Sequence, residues 1–476
     1  MSIKARKSRR RISVEENGNF NDEFDKQEME NRADETPKIM PQESETLTPA
    51  PRKKKVWKRV GSVALAIALF GAGYAASALQ YDSEMRTLSR IKMAIQSNYY
   101  EEVTDDEFYG VLFDAINEEL LDKYSQYMNP DEYAEMTTEA TGEWSGLGLT
   151  FLTEGENGEK QMLIRRVSGN SPAEKLGIVE GDFVIGYGLT EESLTLSNDY
   201  DEFYAFVQER AKGEEFALKI RRGANESVVK IAKDTFIENY VFYRTNEAAY
   251  SFTGGNATQM TSVNDPLPAL GGDTAYIRLT QFNGNAAQEF ATAMGKFKEE
   301  GKKNLVLDLR ENGGGYMNIL QEICSYFCKG ESKKALVAVA QYREGQKEEF
   351  YSTKGLYSQY FAEDSQIKVL ADDGTASASE CLLGCMLDYG AIGYEDICLI
   401  ERGGVAKTYG KGIMQSTFPF GLGNTDAIKL TTAKILWPKS GNCIHGRGIL
   451  PEDGAKSVKY NYEKDGEITA ALGVLF

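Results

Sequence analysis

Histidine is almost missing from this chain: of 476 residues only His445 is one, and it lies in a turn-rich polar stretch, S-G-N-C-I-H-G-R-G. Composition therefore nearly excludes a Ser-His-Asp triad, the commonest way to activate a serine. A zinc site is disfavoured for the same reason, because there is also no C-x-x-C pair. Six cysteines are present; Cys324 with Cys328, and Cys381 with Cys385, are each four apart on expected helices, a spacing that suits a disulfide poorly. Buried thiols are the default, and a Cys398 to Cys443 bridge stays open. Neither a metal nor an organic cofactor is expected.

Basic charge is also scarce where a fold would form. Residues 1–59 hold 15 basic and 11 acidic groups, so with a total of −18 the remaining chain carries −22. That excludes nucleic acid as a partner, since binding it needs a basic footprint. Residues 1–55 have few apolar side chains with which to offset ordering entropy and are expected to be a disordered tail.

Long apolar runs are absent with one exception. Val60 to Tyr81 contains no charged residue, and 22 residues at about 1.5 Å each span a bilayer core. Arg52, Lys53, Lys54, Lys55, Lys58 and Arg59 precede it, whereas Asp82 and Glu84 follow. The positive-inside rule then makes 56–81 a signal anchor of a single-pass cell-membrane protein, with a cytoplasmic N-terminus and the remainder outside the cytoplasm. A cleavable signal peptide is the competing reading, since AGYAASA offers small-residue sites, and the long preceding tail argues for the anchor.

Past the anchor the periodicity changes twice. Residues 82–143 read as a helical region with no chemistry visible in it. From 144 to 236 short strands and turns alternate, with one helix, DEFYAFVQERA. From 237 to 476 strands alternate with helices, which implies an α/β core with a mostly parallel sheet. The stretch AAYSFTGGNATQMTSVNDPLPALGGD reads as a turn-rich loop, and TAYIRLTQF with the following helix as a β-α unit leading into LVLDLR.

Chemistry concentrates in three segments of this core. In G-T-A-S-A-S-E, Ser377 opens a helix; in Y-G-K-G-I-M-Q, Lys411 follows a glycine turn, with Gln415 four residues on. A lysine deprotonates a serine only if burial keeps the amine neutral. Ser377 also has a structural reading, because with Glu380 it forms S-x-x-E, a helix-capping box. The segment LVLDLRENGGG favours chemistry: glycines at the end of a buried strand can point amides at an oxyanion.

These motifs, with LTTAKILWPKSG and GRGILPED, resemble the C-terminal processing (tail-specific) peptidases of the S41 serine protease family. The resemblance runs from about Asp82 to the C-terminus and implies a crotonase-like (ClpP/crotonase type) α/β protease core with an inserted mostly-β PDZ domain. It implies Ser377 as nucleophile, Lys411 as general base and Gln415 as the group that positions the base. Oxyanion donors fall on the backbone amides of Gly314, Gly315 and Ala378. In the PDZ domain, Gly146-Leu147-Gly148-Leu149 would receive a peptide's terminal carboxylate and accept the peptide as an added strand. Arg165 or Arg166 reads as a solvated strand edge or as a reporter of groove occupancy.

Two features depart from the family pattern. Asn312-Gly313-Gly314-Gly315 stands where the family has N-P-G-G, and the Ser377 to Lys411 spacing is longer by about nine residues, an insertion of low entropic cost. The expected protein is thus a membrane-anchored serine endopeptidase acting on proteins with exposed C-termini, with a homodimer or a regulatory partner admitted. The alternative is an inactive or partner-gated PDZ scaffold on a protease-like core.

Overall fold

The computed structural model describes residues 83–155, 158–253, 256–260, 270–401, 404–423, 425–459 and 467–476. The expected tail and transmembrane segment, 1–81, lie outside the described residues; among those described, no helix is long and apolar enough to cross a membrane. The chain divides into two units at residue 100. Within the described residues the first is one helix, α1 (Ser83–Asn98), with no buried residue.

The second unit begins with α2 (Asp105–Ala115), whose N-cap Thr104 accepts from the Glu107 amide while Glu107 reaches back to the Thr104 amide. After a π turn (Ile116–Leu120) come a short strand, β1 (Gln126–Met128), and α3 (Pro130–Ala140). The expected helical region is therefore interrupted by a strand.

A small β module follows. Its strands are β2 (Glu143–Gly146), β3 (Leu149–Glu154), β4 (Lys160–Val167), β5 (Phe183–Gly188), β6 (Thr195–Leu196), β7 (Phe216–Arg222), β8 (Asn225–Ile231) and β9 (Asp234–Ile237). The sheet runs β3-β4-β5-β7-β8 with β6 on β5, and β2 pairs with β9. Helices α4 (Pro172–Lys175) and α5 (Tyr200–Gln208) complete it. Alternation along β7 sends Phe216, Leu218 and Ile220 to one face, where they meet Met162, Ile164, Val184, Phe203 and Val207. This mixture of short strands and one main helix is what the sequence pattern led one to expect.

The core sheet holds eight strands. Three are antiparallel: β10 (Val241–Arg244), β11 (Ala249–Thr253) and β12 (Asn256–Gln259). Five run parallel: β13 (Thr274–Leu279), β14 (Asn304–Asp308), β17 (Ile367–Asp372), β18 (Ile397–Glu401) and β21 (Lys456–Lys459). The order is β12-β11-β10-β13-β14-β17-β18-β21. The β11/β12 hairpin corrects the expectation of a loop there: A-Y-S-F-T alternates in strand fashion, and the glycines between the two strands had masked it.

Both faces of the parallel strands are covered, which is why they read as continuous apolar runs. Leu305 and Leu307 pack toward α6 (Ala286–Glu299), α7 (Met317–Cys324) and α9 (Ala378–Asp388), while a short α8 (Tyr357–Tyr360) closes the edge of that layer. Val306, Leu370 and Ile400 face α10 (Glu467–Leu475) through Ile468, Ala471, Leu472 and Leu475. Each such burial is worth about 1.5–3 kcal/mol. A second sheet, β1-β20-β15-β16 with β19 on β20, is built from β15 (Leu336–Tyr342), β16 (Lys347–Tyr351), β19 (Ile413–Pro419) and β20 (Ala427–Leu436).

All six cysteines are free thiols. The two pairs read as independent converge between α7 and α9, with Cys328 and Cys385 sulfurs 3.6 Å apart. Cys398 is buried in β18, whereas Cys443 is exposed and donates to the Gly412 carbonyl (3.4 Å).

Candidate active site

Two parallel strands end side by side and carry the loops that build the site. After β14 comes Leu309-Arg310-Glu311-Asn312-Gly313-Gly314-Gly315; after β17 comes Asp373-Gly374-Thr375-Ala376-Ser377. Asp372 joins them, its Oδ1 accepting from the amides of Glu311 (2.9 Å) and Gly374 (3.0 Å). Thr375 adds a bond from its hydroxyl to the Leu309 carbonyl (2.8 Å). Below, Asp308 is fully buried, and burial alone would raise its pKa, but Arg310 and Arg278 outweigh that and hold it at about 2.

Asn312 fixes the glycine loop against the Ser377 loop. It is fully buried, donates from Nδ2 to the Leu279 carbonyl (2.8 Å), and accepts the Gly314 amide on Oδ1 (3.0 Å). Its carbonyl accepts from the Ala376 amide (2.9 Å) and the Ser379 hydroxyl (2.9 Å). The Ser379 hydroxyl is thereby held on the glycine-loop backbone. Gly314, at φ +98°, lies so close that a Cβ there would sit 2.7 Å from both the Ala378 nitrogen and the Ser377 Cβ.

Ser377 occupies a strained backbone position, φ +58° and ψ −114°, immediately before α9. Its hydroxyl makes no capping hydrogen bond, so only half of the S-x-x-E box is present. The other half is used differently. Glu380, 1% exposed, takes the Ser377 amide (3.1 Å) and the Lys411 amide (2.8 Å) on one oxygen. Its second oxygen takes the Gly410 amide (2.7 Å) and the Thr408 hydroxyl (2.6 Å). The long connection between Ser377 and Lys411 therefore returns to its starting point. Burial raises the Glu380 pKa, and these four donors partly oppose the rise.

Ser377 and Lys411 line one cavity of about 710 Å³, together with Gly313, Gly314, Gly315, Ala378 and Gln415. Its apolar wall includes Met136, Ile435 and Trp437. Lys411 is half-buried, and its pKa is lowered, first by loss of solvent and then by the Lys429 charge; Asp122 and Glu380 pull the other way. Among the described residues no hydrogen bond joins the Lys411 amine to the Ser377 hydroxyl. Looser geometry of this kind is common in substrate-free sites.

Two expected residues, Gln415 and Gly314, make other contacts than expected. Gln415 donates its side-chain amide to the Tyr124 carbonyl, and Lys411 Nζ lies 5.3 Å from the Tyr124 ring centroid. The segment read as free of chemistry, 82–143, thus reaches the site. Gly314 gives its amide to Asn312 and is not a free oxyanion donor in this state, whereas the amides of Gly315 and Ala378 have no acceptor among the described residues. Glu380, Asn312 and Asp372 were missed as organising side chains, although the first two lay inside quoted motifs.

In the β module, Leu147 is buried and Gly148 adopts φ +78° against Ser171, where any Cβ would fall 2.2 Å from the Ser171 Cβ. Gly146 ends β2 and Leu149 starts β3, which lies at the edge of its sheet among the described residues. Neither arginine is a solvated strand edge. Arg165 bonds Glu311 (2.6 Å) and Asp373 (3.0 Å), one on each of the two loops; Arg166 is buried against Glu238 (3.1 Å). Glu311, Asp372 and Asp373 are the carboxylates close enough together to hold a metal ion among the described residues, and the Arg165 guanidinium already lies between two of them.

Comparison with known proteins adds an independent line. The model of Peptidase family S41 matches residues 273–453, which contain both loops, Ser377, Lys411 and Gln415. A probable CtpA-like serine protease of Staphylococcus epidermidis is 27% identical over 382 residues, covering 79% of this chain and 67% of its own. One from Staphylococcus haemolyticus is 27% identical over 398 residues, covering 83% and 69%. Among solved structures, a photosystem II D1 C-terminal processing protease superposes with a TM-score of 0.46 at 19% identity, covering 83% of this chain and 100% of that one. Residues 273–453 thus carry a domain of Peptidase family S41, and with relatives described as serine proteases the chain reads as a serine-type peptidase.

Proposed function

We propose that this peptidase is a membrane-anchored, extracytoplasmic endopeptidase that captures an exposed protein C-terminus in its β module and cleaves peptide bonds with a Ser377/Lys411 dyad. One observation carries the reading: a single buried carboxylate, Glu380, holds the backbone of both residues at the mouth of one cavity. The neutral Lys411 amine takes the Ser377 proton as the hydroxyl oxygen attacks the scissile carbonyl. The amides of Gly315 and Ala378 receive the oxyanion. Collapse expels the amine, which takes the proton back from Lys411, and water then hydrolyses the acyl-enzyme by the same base.

Capture rests on the open β3 edge and the Gly146–Leu149 turn, which suit strand addition with a terminal carboxylate at the turn. Anchoring rests on the uncharged run 60–81 and its basic flank. Hydrolysis of an unfolded protein with an apolar C-terminal tail tests the reading. Ser377→Ala and Lys411→Ala should each abolish turnover while tail-peptide binding persists; turnover that survived both substitutions would remove the dyad.

A further inference from the structure

The residue expected to orient the base does not touch it. Among the described residues Gln415 makes no hydrogen bond to Lys411; its side-chain amide is spent on the main-chain carbonyl of Tyr124, whose ring lies over the Lys411 amine at 5.3 Å. We propose that Tyr124 is a positioning residue of this site: its carbonyl anchors Gln415 and its ring covers Lys411, so that Gln415 governs the base through Tyr124. The inference rests on Lys411 being the base.

The segment bearing Tyr124 is fixed well enough for this task. β1 pairs with β20 through Gln126 and Lys429, Tyr127 and Ile428, and Met128 and Ala427. The Ser125 hydroxyl accepts the Thr431 amide (2.8 Å), and Asp122 accepts the amides of Tyr124 (3.0 Å) and Ser125 (2.7 Å). These ties are to backbone or to neighbouring side chains and need no tyrosine ring. The ring itself is held by aromatic contacts with Tyr409 (6.4 Å) and His445 (6.0 Å).

Every element around Lys411 contributes charge or shielding. Tyr124, Lys123 and Asp122 approach from ahead of β1, Glu380 from α9, Lys429 from β20, Tyr409 from the chain before Lys411, and His445 from the loop behind the ring. A ring face attracts an ammonium, but more weakly than the hydration it displaces when it closes one side of the amine. Shielding by Tyr124 thus acts with the Lys429 repulsion and against the attraction of Asp122 and Glu380.

The pH profile of kcat/KM for the full chain on an unfolded protein substrate tests this, because a merely structural contact would lower activity equally at all pH. Tyr124→Ala should move the acid limb up by about one unit, a loss of about tenfold at neutral pH that is recovered at alkaline pH. Tyr124→Phe keeps ring and carbonyl and should leave the limb in place. Gln415→Ala should shift it in the same direction, and the double variant should be no worse than Tyr124→Ala. A limb that stays put in Tyr124→Ala, or losses that add in the double variant, would overturn the proposal. Activity surviving in Lys411→Ala would instead remove the base assignment itself, whichever way Tyr124 behaves.

Discussion

Glu380 decides whether Ser377 and Lys411 share a site. Four donors converge on its carboxylate, two of them the amides of those residues, so removing it leaves buried N–H groups without acceptors. Each unsatisfied group costs about 1–3 kcal/mol. Glu380→Ala should lower stability by about 3 kcal/mol or more and reduce kcat/KM by at least about a hundredfold; denaturant melts and turnover assays check both. Glu380→Gln, which keeps one acceptor oxygen, should fall between the two. Stability intact alongside full activity in Glu380→Ala would show that the loops meet without it.

Elements explain which parts of this could be read from sequence. The strand LVLDLR and the helix after Ser377 were legible because burial writes itself as apolar runs and i, i+3, i+4 spacing. The interruption of 82–143 by β1 was not, because three residues carry no periodicity. Convergence of Ser377 and Lys411 was implied only by the family resemblance, because it depends on a carboxylate three residues into a helix bonding to amides thirty and thirty-one residues away. The glycine loop offers a test at this scale. Gly314→Ala would place a methyl 2.7 Å from the Ala378 nitrogen in a backbone region that alanine avoids. It should cost about 1–3 kcal/mol in thermal unfolding and lower kcat more than it raises KM. Gly313→Ala, whose Cβ would meet nothing within 4 Å, is the control and should be mild.

Across the whole molecule, the β module is joined to the core through ion pairs and a linker. Arg165 of β4 bonds Glu311 and Asp373, so it touches both loops that end at the site. Arg165→Ala should therefore reduce turnover while leaving the cavity residues in place; an unchanged kcat would show that these ion pairs do not bear on the site.

The linker is held by Glu289 on α6, fully buried, which accepts the amides of Tyr240 (2.7 Å) and Val241 (3.1 Å) where β10 begins. Burial raises its pKa to about 7, despite the opposing amides, and nearby Glu238 adds to the rise. Below about pH 4.5 the carboxyl is protonated both folded and unfolded, and it contributes no pH dependence. As pH rises toward 7 the unfolded chain releases this proton while the folded one keeps it, so folding becomes progressively less favourable. Above pH 7 the cost levels off at about 3 kcal/mol. Glu289→Gln carries no such cost. Urea unfolding across pH 4.5–8 should show the variant gaining on wild type through that window and then running parallel to it. A difference independent of pH would mean that Glu289 enters the fold already ionised, with the two linker amides sufficient to keep it so.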